Sequence, residues 1–278
     1  MPTNKQRREA AQRHLQRQLE RRAEQAKKRR RNLGILVTAL AVVVVVGAAL
    51  LITGVFSGDD DEGTDPLASP SPTTSAAART TNPDGTVTCE YLPDESGNPN
   101  SQDVGTPPNP EATPTQGSAT LLMATDQGDL TLTLDRAKAP CAAASFVYLA
   151  QQQFFDGSPC HRLVNQPSFG VLQCGDPTGT GSGGPSYRYG EEVGADTTYP
   201  RGTIAMAKTS APSSTGSQFF LCFVDTELPP EYTVVGTVDE AGIGVLETIA
   251  AGGIEGVGPE GDGAPATPVT INSMTVVS

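Results

Sequence analysis

Arg162, Gln173 and Gln218 are the residues of this chain whose types and spacing can do chemistry together. The first two lie in 160–181, CHRLVNQPSFGVLQCGDPTGTG, on two short apolar runs that a tight connection folds into a hairpin. The third lies in 216–220, GSQFF. An arginine offers a rigid fork of five donors and keeps its proton, so it serves as a fixed cation, not as an acid or base. The glutamines add amide donors and acceptors, while Phe220 and Met206 add apolar surface. One cation, two amides and an apolar pocket suit a neutral peptide better than a charged metabolite.

Other chemistries lack their parts. Nucleophilic catalysis needs a Ser or Cys beside a base. His161 and His14 are the only histidines, and alternation along a strand turns His161 away from the face that Arg162 takes. His161 therefore reads as structural, and no G-x-S-x-G is present. The run 175–184, GDPTGTGSGG, lacks the lysine of a P-loop and the Rossmann spacing, and reads as a flexible surface loop. Five cysteines without a C-x-x-C pair do not make a zinc site. No cofactor is expected.

The elements that must position these residues fall between 119 and 278. Segments 119–125 and 128–134 read as strands about a turn at 126–128. Segment 140–153 reads as a helix, with Pro140 in its first turn and Phe146, Leu149 and Ala150 on one face. Short strands are expected at 159–164, 170–174, 203–208, 218–223, 233–238 and 268–277, with a second helix near 242–251. Many short strands with Gly/Pro turns and two helices predict a mainly β domain, a closed antiparallel barrel capped by two α-helices. Cys89, Cys141, Cys160 and Cys174 allow three pairings as two bridges. Cys222, in an apolar strand, is expected to be a buried free thiol.

Upstream of that domain the composition changes twice. Residues 1–32 hold 12 of the 19 Lys and Arg and three of the 31 acidic residues, leaving seven cations against 28 carboxylates beyond them. Segment 34–56, GILVTALAVVVVVGAALLITGVF, carries no charge over 23 positions, enough for a helix to cross a bilayer. Basic residues 27–31 before it and acidic residues 59–62 after it put 1–33 in the cytoplasm and 57–278 outside, by the positive-inside rule. The basic arm is expected to meet anionic lipid rather than nucleic acid. Residues 57–118, crowded with Pro, Ser, Thr and Gly, read as an extracytoplasmic linker, except that 87–93 could dock on the domain through Cys89.

With those residues in view, the domain resembles the cyclophilin-type peptidyl-prolyl cis–trans isomerases. The His-Arg pair, VLQCGDPTGTGSGG, Ala205-Met206-Ala207 and GSQFF match the family's signatures in order. The arm, span and linker give a layout similar to the membrane-anchored cyclophilins of actinobacteria. The resemblance implies an eight-stranded antiparallel barrel with a helix at each end. It implies that Arg162 is the catalytic arginine, that Gln173 orients it and that Gln218 binds substrate backbone. It places Phe220 on the floor of a proline pocket with Met206 beside it, and Ala207 against the peptide. Leu228 and Tyr232 fall near the family's pocket tryptophan and histidine, and Val171 on a pocket position. Phe169 is offset by one residue, which a small bulge would absorb; Gly170 and Lys208 depart from the pattern. The implied activity is rotation about X-Pro bonds in exported or cell-envelope polypeptides. The rival expectation is a proline-peptide-binding module or chaperone with weak turnover.

Overall fold

The computed structural model describes residues 81–256, 258 and 261–278. The basic arm, the 34–56 segment and the first part of the expected linker lie outside them. In chain order the strands are β1 Leu92–Pro93, β2 Ser101–Gln102, β3 Ser118–Thr125, β4 Gly128–Asp135, β5 Ser158–Pro159, β6 Arg162–Gln166, β7 Phe169–Cys174, β8 Gly184–Pro185, β9 Tyr187–Arg188, β10 Thr203–Met206, β11 Phe219–Cys222, β12 Val234–Val238, β13 Ile254–Glu255, β14 Asp262–Pro265 and β15 Thr270–Val276. The α-helices are α1 Pro140–Gln151 and α2 Glu240–Ala251. Among the described residues no helix is long and apolar enough to cross a membrane.

Strict alternation builds the long hairpin. In β3, Ala119, Leu121, Met123 and Thr125 are buried; in β4, Leu130, Leu132 and Leu134 are. The two strands pair antiparallel from Ser118 opposite Asp135 to Thr125 opposite Gly128, so both apolar rows face one side. Helix α1 lays Phe146 and Leu149 on that row, and α2 adds Ile243, Leu246 and Ile249. Phe146, Phe155 and Phe219 meet with centroids 4.9–5.8 Å apart at the centre of this core.

Both helix starts are held by carboxylates, which suit the amide-rich, positive end of a helix. Asp239 accepts from Gly242 N at 3.0 Å as a cap of α2. Helix α1 has no capping side chain of its own at Ala139. Glu192, fifty residues on, supplies one instead, accepting from Cys141 N and Ala142 N at 3.2 and 2.8 Å.

The main sheet runs β13-β14-β6-β7-β11-β10-β12-β4-β3-β15-β5, antiparallel throughout. It is thus a curled run of eleven strands, where eight in a closed barrel are expected. One expected strand, 159–164, is cut in two because the chain changes partner there. Cys160 N still bonds Val269 O, beside β15, at 2.8 Å, whereas His161 N bonds Gln173 O of β7 at 3.1 Å. Two more strands, β13 and β14, come from the glycine-rich stretch after α2, where none is expected.

The expected linker also ends early. Residues 81–117 form a strap lying on the domain. Cys89 is bridged to Cys141 of α1. Next, β1 pairs with β9, and β2 with β8. Tyr91 packs edge-on to Tyr187 and Tyr189 and donates to Cys141 O at 2.8 Å. Its Pro and Gly content fits a tether, but a few buried anchors suffice to order it: Val87 and Cys89 are each 4% exposed.

Candidate active site

Strand pairing brings the distant candidates together. In β6 and β7, Arg162 stands opposite Gln173 and Val164 opposite Val171. Across β7 and β11, Gln173 stands opposite Phe220 and Val171 opposite Cys222; in β10, Ala205 stands opposite Phe220. Side chains alternate between faces, so these residues share one face of the sheet. They build a second apolar cluster of Val164, Val171, Tyr199, Ala205, Phe220, Cys222 and Val234, with Phe169, Ala207, Leu228 and Tyr232 packed partly buried against it. The neighbours Leu163, Leu172, Phe219 and Leu221 face the opposite way, into the main core.

A run of hydrogen bonds borders this cluster. Arg162 Nε donates to Asp262 Oδ2 of β14 at 2.6 Å, and Nη1 to Gln173 Oε1 at 3.3 Å. Gln173 Nε2 donates to Gln218 Oε1 at 2.9 Å. Gln218 Nε2 then donates to Gly181 O and Gly183 O, each at 3.0 Å. With its Nε and Nη1 held, the guanidinium keeps one plane. Its side chain stays about a third exposed.

Three sequence expectations need correction here. Met206 is no pocket residue. It pairs with Phe219, not Phe220, so its side chain enters the main core, where it is 1% exposed. Phe169 needs no bulge: β7 pairs without a register shift on both sides, and Phe169, Val171 and Gln173 share a face by simple alternation. Gly170, between them, faces inward, where an added Cβ would come within 2.7 Å of Phe223 and Val224. Finally, the glycine-rich run is an ordered loop around a buried carboxylate. Asp176 accepts from Thr178 N at 2.8 Å and Gly181 N at 2.7 Å, as well as from the Thr178 hydroxyl. Burial alone would raise its pKa, but hydrogen bonds from Gly183, Thr178 and Gly181 outweigh that and lower it. A side chain at Gly183 would collide with Asp176 Oδ1.

Two site residues escaped the sequence reading. Asp262 lies a hundred positions from Arg162, in a stretch without an apolar pattern. Tyr199, which falls outside the expected strands, packs on Phe220 and Tyr232 with centroids 6.2 Å away from each. Its hydroxyl accepts from Tyr232 N at 2.9 Å and lies 3.1 and 3.2 Å from Pro229 O and Tyr232 O. It therefore fixes the segment that carries Leu228 and Tyr232. Tyr232 in turn stands edge-on to Phe220, 5.5 Å between centroids.

Two titratable groups flank the site. Burial holds His161 below its ordinary pKa, with Asp176 opposing and Arg162 adding to the effect; its Nδ1 is buried without a hydrogen-bond partner among the described residues. Cys222 is the free cysteine, and burial pushes its thiol up to about 12. Cys160 and Cys174 are bridged, two positions before Arg162 and one after Gln173.

Comparison with known proteins identifies the family. The family model described as cyclophilin type peptidyl-prolyl cis-trans isomerase/CLD matches residues 120–276. A protein of Mycobacterium leprae named "Probable peptidyl-prolyl cis-trans isomerase B" is 41% identical over 309 aligned positions, covering 99% of each chain. Its namesake in Mycobacterium tuberculosis is 46% identical over 164 positions, 55% of this chain and 52% of that one. A crystal structure of a Cryptosporidium parvum cyclophilin type peptidyl-prolyl cis-trans isomerase superposes with a TM-score of 0.50 at 27% identity, covering 58% of this chain and 99% of the other.

Proposed function

The chain belongs to the cyclophilin-type peptidyl-prolyl cis–trans isomerases, and we propose on that footing that Arg162 is its catalytic residue. The reaction rotates an X-Pro bond over a barrier of about 20 kcal/mol that amide resonance sets. In the twisted state the prolyl nitrogen loses that resonance and gains a lone pair. A fixed donor aimed at this nitrogen stabilises the twisted state and does little for either planar isomer. That is catalysis by preorganised electrostatics, without acid, base or covalent intermediate. Gln173 and Asp262 hold the guanidinium. Gln218 binds the peptide backbone, and Ala207 lies against it. Phe169, Val171, Phe220, Leu228 and Tyr232 grip the proline ring while the preceding carbonyl swings.

One observation carries this reading: a hydrogen-bonded row from Asp262 through Arg162 and Gln173 to Gln218 runs along the rim of an apolar cluster floored by Phe220. Such a row fixes a cation beside an apolar surface. The test is Arg162→Ala on an Ala-Pro tetrapeptide, followed by exchange NMR. kcat/KM falls at least about a hundredfold, the scale for losing one preorganised donor. Arg162→Lys does not restore it, since an ammonium cannot engage both Asp262 and Gln173 in one plane. Wild-type turnover in Arg162→Ala refutes the assignment.

Our reading of the whole chain is a bilayer-anchored enzyme, spanning at 34–56, with its basic arm on anionic lipid and its domain outside. There it acts on exported or envelope polypeptides. In that reading the sheet closes into a barrel, its two sides joined by the link 158–166, which runs from β5 at one end of the strand order to β6, third from the other. The Cys89–Cys141 and Cys160–Cys174 bridges support an oxidising compartment.

A further inference from the structure

A groove of about 790 Å³ opens beside the glutamines of the site. Gln173, Gln218, Ala207 and Lys208 line it. Gly181–184 also contribute to its lining, as do Asp94, Ser96, Asn98 and Ser101 of the strap. The family model begins at residue 120. These strap residues therefore lie outside the matched domain.

The strap is fixed on either side of that stretch. Upstream, Cys89 is bridged to Cys141, and Leu92 pairs with Arg188. Asp94 N donates to Ser186 O at 2.8 Å, and Asn98 Nδ2 to Ser182 O at 2.6 Å. Downstream, Ser101 pairs with Gly184 and its hydroxyl donates to Pro185 O at 3.1 Å. A wall ordered beforehand costs a ligand little conformational entropy. Its lining is hydroxyl, amide and carboxylate, with Asp94 accepting from both Ser96 N and Ser96 Oγ. The volume lies within the roughly 300–1,000 Å³ of ordinary ligand sites.

We propose that residues 94–101 are a specificity-determining wall that binds the polar stretch of client polypeptide flanking the rotating proline. The proposal rests on the isomerase reading and names the substrate class: extended, unfolded chain rather than an isolated X-Pro unit. An extended tetrapeptide reaches only about 13 Å, whereas twelve residues reach about 40 Å. The wall therefore meets more of a long substrate than of a short one.

The experiment uses the full chain, an Ala-Pro tetrapeptide and a dodecapeptide with Ser, Asn and Gln on both sides of the same Ala-Pro. The wild type turns over the dodecapeptide with kcat/KM about tenfold higher, through KM. Ser96→Trp puts a large ring on an exposed strap position that lines the groove. It loses that advantage and keeps tetrapeptide turnover within about twofold. The natural chain has no tryptophan, so this indole also reports occupancy: its emission shifts on adding dodecapeptide and not tetrapeptide. Equal kcat/KM for both peptides in the wild type, a retained advantage in Ser96→Trp, or an equal fall on both peptides overturns the proposal. Amide shifts of the wild type with dodecapeptide give an arm independent of the variant. Shifts at 94–101 support the wall, and shifts confined to 162–173 and 218–220 overturn it. A wild type that turns over neither peptide refutes the isomerase reading itself.

Discussion

Asp262 grips Arg162 at Nε, and Gln173 at Nη1, so the guanidinium has two fixed partners on different strands. If orientation is the carboxylate's contribution, Asp262→Ala lowers kcat about tenfold at nearly constant KM, the scale of one charge-assisted hydrogen bond. Asp262→Asn, which keeps an acceptor oxygen, restores most of it. Equal losses in both variants would show that charge, not orientation, matters. Met206 gives the converse case. Buried in the main core, Met206→Ala costs about 2–5 kcal/mol of stability, read by denaturant unfolding, and leaves kcat/KM near wild type. A selective loss of turnover would return it to the pocket. The sequence made Arg162, Gln173, Gln218 and Phe220 legible because each sits in a short motif whose strand character is plain. Asp262 was not legible, since its partner is set by a β6–β14 pairing that no local pattern encodes. Met206 misled because neither its apolar character nor the family resemblance says which side of the strand its side chain takes.

At the scale of elements, the loop around Asp176 joins the core to the site, because Gly181 and Gly183 receive the Gln218 amide. His161 stands against it: a Cβ on Gly181 would lie 3.4 Å from the imidazole. Burial lowers the His161 pKa in the fold, so the unfolded chain takes up a proton first as pH drops. Stability from this group is complete above the unfolded value of about 6.5 and is lost as pH falls through the lower folded value. Asp176, also lowered, acts with the same sign further down, below about 3.9. The expected outcome is a melting temperature that declines from pH 7 to 5, and a flatter decline in His161→Gln; parallel slopes would exclude His161. The elements themselves were largely readable. The β3–β4 hairpin follows strict alternation, and both helices follow proline, capping and apolar spacing. Strap order was missed because it depends on a disulfide and two short strand pairings, each spanning 50 or more residues.

For the molecule as a whole, the two bridges close loops with separations of 52 and 14 residues. Chain-entropy arguments give about 4 and 3 kcal/mol respectively, comparable in scale with the whole stability of an ordinary domain. Alkylation of intact cells, followed by denaturation and mass analysis, tests the compartment. Cys89, Cys141, Cys160 and Cys174 stay unlabelled, and Cys222 takes label only once the domain is denatured. Five labelled cysteines would place the domain in a reducing environment. The charge asymmetry of the chain was legible at once, as composition; eleven strands were not, because partner exchange at 160–161 is a tertiary event and β13 and β14 come from a glycine-rich stretch without an apolar pattern. One strand ties stability to turnover. In β11, Phe219 and Leu221 belong to the core and Phe220 and Cys222 to the pocket. A scan of every substitution along this segment, scored once for heat tolerance and once for catalysis, should give two combs whose teeth interlock. Breeders of hardier variants could rework one comb while leaving the other untouched.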